Sequence, residues 1–145
     1  MSLLTGKKLL LATHNKGKID EFKSILKGTG LEIFSSKGFN LPEPKETETS
    51  FVGNARIKSR MACQETSLPC LADDSGLEVH ALGNQPGVYT ADWAQTEKGR
   101  DFKKAMEIVW NKLILTKTRK PFTADFCCTL VLTLPNGIEK IFSAK

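Results

Sequence analysis

An apolar run, Lys7 to Ala12, passes through Thr13-His14-Asn15-Lys16-Gly17-Lys18 straight into a helical pattern. This order of strand, polar glycine-containing loop and helix constrains the fold more than any other feature of the chain. Ile19, Phe22, Ile25 and Leu26 recur at helical spacing and give the helix one apolar face, and Gly28-Thr29-Gly30 ends it. Leu31-Glu32-Ile33-Phe34 then reads as a second short strand. A helix that starts at such a loop presents unpaired backbone N–H groups and a partial positive charge, which suits phosphate. Lys16 and Lys18 add full charges beside it, and Thr13 and Asn15 offer side chains that can orient an oxyanion. The loop is not a Walker A sequence, and the same residues equally suit a plain strand–helix turn with solvated lysines.

The second feature is Leu71-Ala72-Asp73-Asp74-Ser75-Gly76-Leu77, where two adjacent carboxylates and a hydroxyl end an apolar run. A strand closing in a polar turn accounts for these residue types. So does a site that holds a divalent metal on carboxylates of fixed geometry. Strand alternation sends Asp73 and Asp74 to opposite faces unless the backbone turns between them. Upstream, Gly38 to Thr49 forms a loop stiffened by Pro42 and Pro44, which either presents Glu43 or Glu46 or is an ordinary acidic surface loop.

A helix is expected from about Ser50 to Glu65, with Ser50 as N-cap and only loose periodicity from Phe51, Ala55, Ile57 or Lys58, and Ala62. Gly53 stands where Glu or Gln would complete a capping box, and glycine inside a helix costs about 1 kcal/mol against alanine. Leu77 to Leu82 continues as strand, with His80 on its solvent side and His14 in a loop. A third helix is expected over about Thr96 to Leu113, its apolar face formed by Phe102, Met106, Val109 and Leu113, with Trp110 widening that face into the core. A long strand from Phe122 to Leu134, a turn at Pro135-Asn136-Gly137 and a returning strand from Ile138 to Ala144 complete the chain.

At 145 residues the chain is expected to form a single domain over 1–145; a chain of this size buries roughly 70% of its unfolded surface. It has no apolar run long enough to span a membrane, and Lys7 and Lys8 interrupt any signal-peptide pattern at the N-terminus. A cytoplasmic location is expected. The four cysteines, at 63, 70, 127 and 128, contain no Cys-x-x-Cys pair and read as buried, reduced thiols. A net charge of +5 suits either nucleic acid or a polyanionic small molecule. The basic residues are spread out and carry no recognition motif, so no stable nucleic-acid complex is expected.

Several motifs occur together in order. Thr13-x-Asn15-x-x-Lys18 is followed by Phe51-x-x-Asn54-Ala55-x-x-Lys58, then by Leu71 to Leu77, Ala81-Leu82-Gly83, Pro86-Gly87-Val88-Tyr89 and Ala124-x-Phe126-x-Cys128. This set closely resembles the inosine/xanthosine triphosphate pyrophosphatase family over essentially the whole chain. The resemblance implies an α/β fold with a mixed central β-sheet flanked by helices and two lobes around a nucleotide cleft, incomplete at the C-terminal end. It implies Mg2+-dependent hydrolysis of non-canonical purine nucleoside triphosphates (ITP, dITP, XTP) to the monophosphate and pyrophosphate, usually by a homodimer. Carried over, Thr13, His14, Asn15, Lys16, Gly17 and Lys18 form the triphosphate-binding loop. Lys58 is a second phosphate contact and Ser75 lies beside the substrate. Asp74 holds magnesium and activates water, and Glu46 is the second metal carboxylate.

Three residues depart from the family pattern. Gly53 and Lys45 stand where acids are usual, and Asp92 stands where arginine is usual. The family also continues into Gly-Phe-Gly-Tyr-Asp-Pro and Ser-His-Arg segments that shape the purine pocket, and this chain ends at Lys145 without them. An active pyrophosphatase and a truncated, non-catalytic remnant that retains only phosphate binding are the two readings this leaves.

Overall fold

A computed structural model of the chain describes Leu4 and residues 7–145. Its elements run β1 (Lys8–Leu11), α1 (Lys16–Ile25), β2 (Glu32–Ser35), α2 (Phe51–Thr66), β3 (Cys70–Val79), β4 (Gln85–Gly87), α3 (Thr90–Trp93), β5 (Gln95–Thr96), β6 (Gly99–Arg100), α4 (Phe102–Leu115), β7 (Ala124–Thr133) and β8 (Glu139–Ala144). The main sheet has the order β2-β1-β3-β7-β8, with β4 added to β3. β1 pairs in parallel with β2 and β3, and β3 pairs antiparallel with β4, so the sheet is mixed.

The chain divides into two compact units, one comprising the residues up to Asp74 with Thr129–Phe142, the other Ser75–Cys128 with Ser143–Lys145. In the first unit, side-chain alternation along β1 sets the layers. Leu10 and Ala12 pack with Ala62 and Cys63 of α2 and with Cys70 and Ala72 of β3. Leu9 and Leu11 pack with Ile19 and Phe22 of α1 and with Leu26 just after it, with Leu71, and with Leu132 and Leu134. The two helices therefore cover opposite faces of this part of the sheet, as a period of two along the strand requires. Arg56 and Arg60 of α2 both reach Glu139, and Ser59 Oγ lies 2.8 Å from Thr133 Oγ1 in a buried hydrogen bond, so α2 is seated by polar contacts as well as apolar ones.

In the second unit, α4 begins at Phe102 rather than near Thr96, because Thr96 belongs to the β5–β6 hairpin and Asp101 Oδ1 caps the helix by accepting the Lys104 N–H. Ala105 and Leu113 are its buried positions. Phe102, Met106 and Trp110 are more than half exposed, so Trp110 is not the core residue its sequence position suggests. It makes an edge contact with Phe122 and lies under the Lys120 ammonium instead. His80 starts a 3-10 turn over His80–Leu82 rather than lying within a strand, and its ring bonds Thr123 Oγ1 at 2.7 Å and Asp125 Oδ2 at 2.9 Å. Cys63, Cys70 and Cys127 are buried, whereas Cys128 is exposed, the outcome alternation dictates for adjacent residues on β7.

Candidate active site

The Asp-Asp-Ser-Gly stretch does not end its strand. β3 runs unbroken from Cys70 to Val79, and sheet pairing overrides the turn preference of those residues. Parity then decides where the two carboxylates go. Leu71 packs on the α1 side and Ala72 on the α2 side. Asp73 therefore faces α1 and Asp74 faces α2. Both are buried, at 3% and 6% exposure.

On the α1 side, Asp73 Oδ2 accepts a 2.6 Å hydrogen bond from Lys18 Nζ. The loop before α1 is built from its own polar groups. Asn15 is the N-cap, its Oδ1 accepting the Lys18 N–H at 3.2 Å, and its own N–H donates to Thr13 Oγ1 at 3.2 Å. Thr13 and Asn15 thus shape the loop and fix where the helix starts, one residue on, at Lys16. A Cβ at Gly17 would sit 3.3 Å from Asn15 Oδ1, so glycine leaves room for that cap. His14 Nε2 lies 2.9 Å from the Leu41 carbonyl, joining the loop to the segment after β2. Lys16 is not gathered into this group. It is exposed and pairs with Asp20 one turn along α1.

On the α2 side, the buried positions of the helix are Asn54, Ala55, Lys58, Ser59, Ala62 and Cys63. Three of these are polar, which is why the sequence shows only loose apolar periodicity there. Lys58 Nζ donates to Glu46 Oε1 at 2.9 Å, with the lysine side chain 10% and the glutamate 34% exposed. Asp74 lies close enough to both to feel their charges. Burial pushes its carboxyl up to about 6, with the Glu46 charge next in effect, while Lys58, an Asn54 hydrogen bond and Lys18 act in the opposite direction. Ser75 follows on β3 and is exposed.

Asn54 is a further residue of this group that its sequence position alone does not mark. Its side chain is buried, accepts the Glu48 N–H at 2.9 Å and hydrogen-bonds Asp74. The available signal was a buried-face polar residue four positions before Lys58 on the same helix. The cysteines do not join the site. Burial raises the Cys63 and Cys127 thiols and pushes Cys70 up to about 12, so these three buried cysteines are not thiolates at neutral pH.

Charged side chains collect here beside the carboxyl end of a parallel strand, the edge at which open α/β sheets generally bind their ligands. Comparison with known proteins makes the class specific. Residues 9–145 match the family model described as Ham1 family. The protein of Ruegeria pomeroyi named dITP/XTP pyrophosphatase is 50% identical over 137 residues, covering 94% of this chain and 67% of that protein. One of the same name from Bartonella quintana is 53% identical over 114 residues, covering 78% of this chain and 53% of its own length. Among solved structures, a HAM1 protein from Coxiella burnetii superposes with a TM-score of 0.86 at 30% identity, covering 94% of this chain and 69% of that one. The chain belongs to the Ham1 family. It spans between about half and two thirds of the length of these relatives.

Proposed function

We propose that this chain carries the nucleotide-hydrolysing centre of a purine nucleoside triphosphate pyrophosphatase acting on dITP, XTP and ITP, cytoplasmic and working as a homodimer. The observation that carries the reading is the Asp73–Asp74 pair, split by one strand between two lysine-bearing faces, Lys18 on one and Lys58 on the other. The names of the 50%- and 53%-identical relatives support the substrate class.

Hydrolysis of the α–β phosphoanhydride adds water across one P–O bond and releases the nucleoside monophosphate and pyrophosphate. It requires the phosphate charge to be neutralised and the attacking water to be held in place. The N–H groups at the start of α1 and the ammonium of Lys18 supply positive potential on one side, and Lys58 supplies it on the other. Asp74, a buried carboxylate beside Glu46 and Lys58, takes the proton from the attacking water. Ser75 lies beside the substrate in this reading, and Thr13, His14, Asn15 and Gly17 hold the phosphate loop in shape.

The donor set fits Mg2+. The ion takes one or two carboxylates together with phosphate oxygens and waters, and Asp74 with Glu46 offers two like charges whose mutual repulsion a cation relieves. Among the described residues no cluster of three or more His, Cys, Asp or Glu side chains is poised for a metal, so the remaining positions would fall to substrate and water. When bound, the ion would neutralise phosphate oxygens and lower the pKa of coordinated water.

The test is pyrophosphate release from dITP, XTP, ITP, ATP and GTP in the presence of Mg2+. Non-canonical substrates should be cleaved well above ATP and GTP. Cleavage of ITP no faster than by an Asp74→Ala control would overturn the assignment.

A further inference from the structure

We propose that Asn54 is the positioning residue that holds Glu46 and Asp74 together, by latching the loop that carries Glu46 onto the strand that carries Asp74. It sits in the first turn of α2, 2% exposed. A side-chain amide combines an acceptor and two donors on one planar group. Here the Asn54 oxygen accepts the Glu48 N–H at 2.9 Å, two residues beyond Glu46, and the amide hydrogen-bonds the Asp74 carboxylate. One buried side chain thus fixes both segments. No charged or apolar residue offers both functions at that position, and truncation would remove both bonds at once.

Gly53 belongs to the same device. A Cβ there would stand 2.7 Å from Glu48 Cβ, 2.9 Å from Glu48 Cγ and 2.9 Å from Ser50 Oγ. The bare backbone lets the loop close onto the helix so that the Glu48 N–H can reach Asn54. This accounts for a glycine in a first turn where it weakens the helix itself. Ser50 Oγ accepts the Gly53 N–H at 3.1 Å and anchors the same turn.

The inference rests on Glu46 and Asp74 being the metal carboxylates, and the experiment separates the two. Backbone hydrogen exchange at Glu48 reads the latch without metal or substrate. Mn2+ binding followed by electron paramagnetic resonance, without nucleotide, reads the carboxylate pair. In Asn54→Ala, Glu48 exchange should accelerate by about tenfold or more, and Mn2+ affinity should fall about tenfold. Asn54→Asp keeps the acceptor and loses the donor. It should retain Glu48 protection while kcat drops about tenfold or more and KM changes little. Gly53→Ala, which improves helix propensity, should nevertheless speed exchange at Glu48 because its methyl pushes the loop away.

The proposal is overturned by Glu48 exchange and Mn2+ affinity in Asn54→Ala within about twofold of the parent. Equal loss of protection in Asn54→Asp and Asn54→Ala would overturn it too. So would loss of cooperative folding in both variants, which would make Asn54 a core residue instead. A parent protein that binds no Mn2+ yet depends on Asn54 for Glu48 protection would leave the latch standing and sink the metal reading.

Discussion

The two faces of β3 carry adjacent carboxylates in opposite electrostatic situations. Asp73 has a cation of its own, Lys18 Nζ at 2.6 Å. Asp74 stands near Glu46, which already holds the Lys58 ammonium at 2.9 Å. The α1 face is therefore locally balanced, and the α2 face holds two carboxylates against one ammonium. A purely structural core favours the balanced arrangement, since like charges side by side disfavour ionisation. A buried carboxylate with a second carboxylate beside it resists ionisation, and such a group is characteristic of sites where a cation or a proton is to arrive.

The largest effect should therefore come from Asp74. Asp74→Asn removes the proton acceptor and should slow pyrophosphate release by about a hundred- to ten-thousand-fold. The same change should stabilise the metal-free protein near pH 8, by about 1–3 kcal/mol. The sign follows from the raised carboxyl, pushed up to about 6 from 3.8. Between those values the folded protein binds a proton that the unfolded chain does not. Stability thus falls as pH rises through the window, and the penalty is complete above it. Denaturant titrations from pH 4 to 8 should show this fall in the parent and a flatter profile in Asp74→Asn. Mg2+ should raise the melting temperature of the parent more than that of the variant. A variant no more stable than the parent at pH 8 would break the contrast between the faces.

Asp73 should behave in the opposite way. Asp73→Asn removes the partner of Lys18, and Lys18→Met leaves Asp73 buried without its cation. Each should destabilise by about 1–3 kcal/mol, the lysine being one-third exposed and partly screened. A double-mutant cycle should return a coupling of about 1–2 kcal/mol. Because Lys18 also faces the substrate phosphates in the proposed reaction, Lys18→Met should raise KM as well as lower stability, whereas the Asp74 change falls chiefly on kcat. Gain of stability in Asp73→Asn would show that the two carboxylates share one environment and that the strand does not separate them.

How much of this was legible in the sequence depends on the kind of signal. The β1-loop-α1 unit could be read because its apolar run and helical spacing are local, and the Ser50 N-cap appears as expected, its Oγ accepting the Gly53 N–H. The start of α4 is also marked in the sequence, by Gly99 at the hairpin turn and Asp101 as N-cap, signals that the apolar spacing from Thr96 onward does not weigh. Periodicity points Trp110 and Met106 inward because it identifies an apolar face without saying what covers it, and both are exposed. At Asp73–Asp74 the turn-forming residue types pointed to a strand end, and only the pairing of β3 within the sheet shows that the strand continues. Once it continues, alternation alone sorts the two acids. Gly53 and Asn54 were the least legible, because their roles depend on Glu48 being folded back against them.

The smallest effect distinguishes two lysines that look equivalent in Thr13-His14-Asn15-Lys16-Gly17-Lys18. Lys16 pairs with Asp20 in full solvent exposure, and Lys18 reaches a buried acid 55 residues away along the chain. An exposed pair at i,i+4 is screened by water and salt and costs side-chain entropy to maintain. Lys16→Ala should leave the melting temperature within experimental reproducibility, and it should raise KM for dITP by no more than about threefold, a change that added salt reproduces. Lys18→Met should change both stability and KM, with an effect that salt reproduces poorly because its partner is buried. Equal KM changes in the two variants would mean that Lys16 leaves Asp20 when nucleotide binds, and would place both lysines on the phosphates.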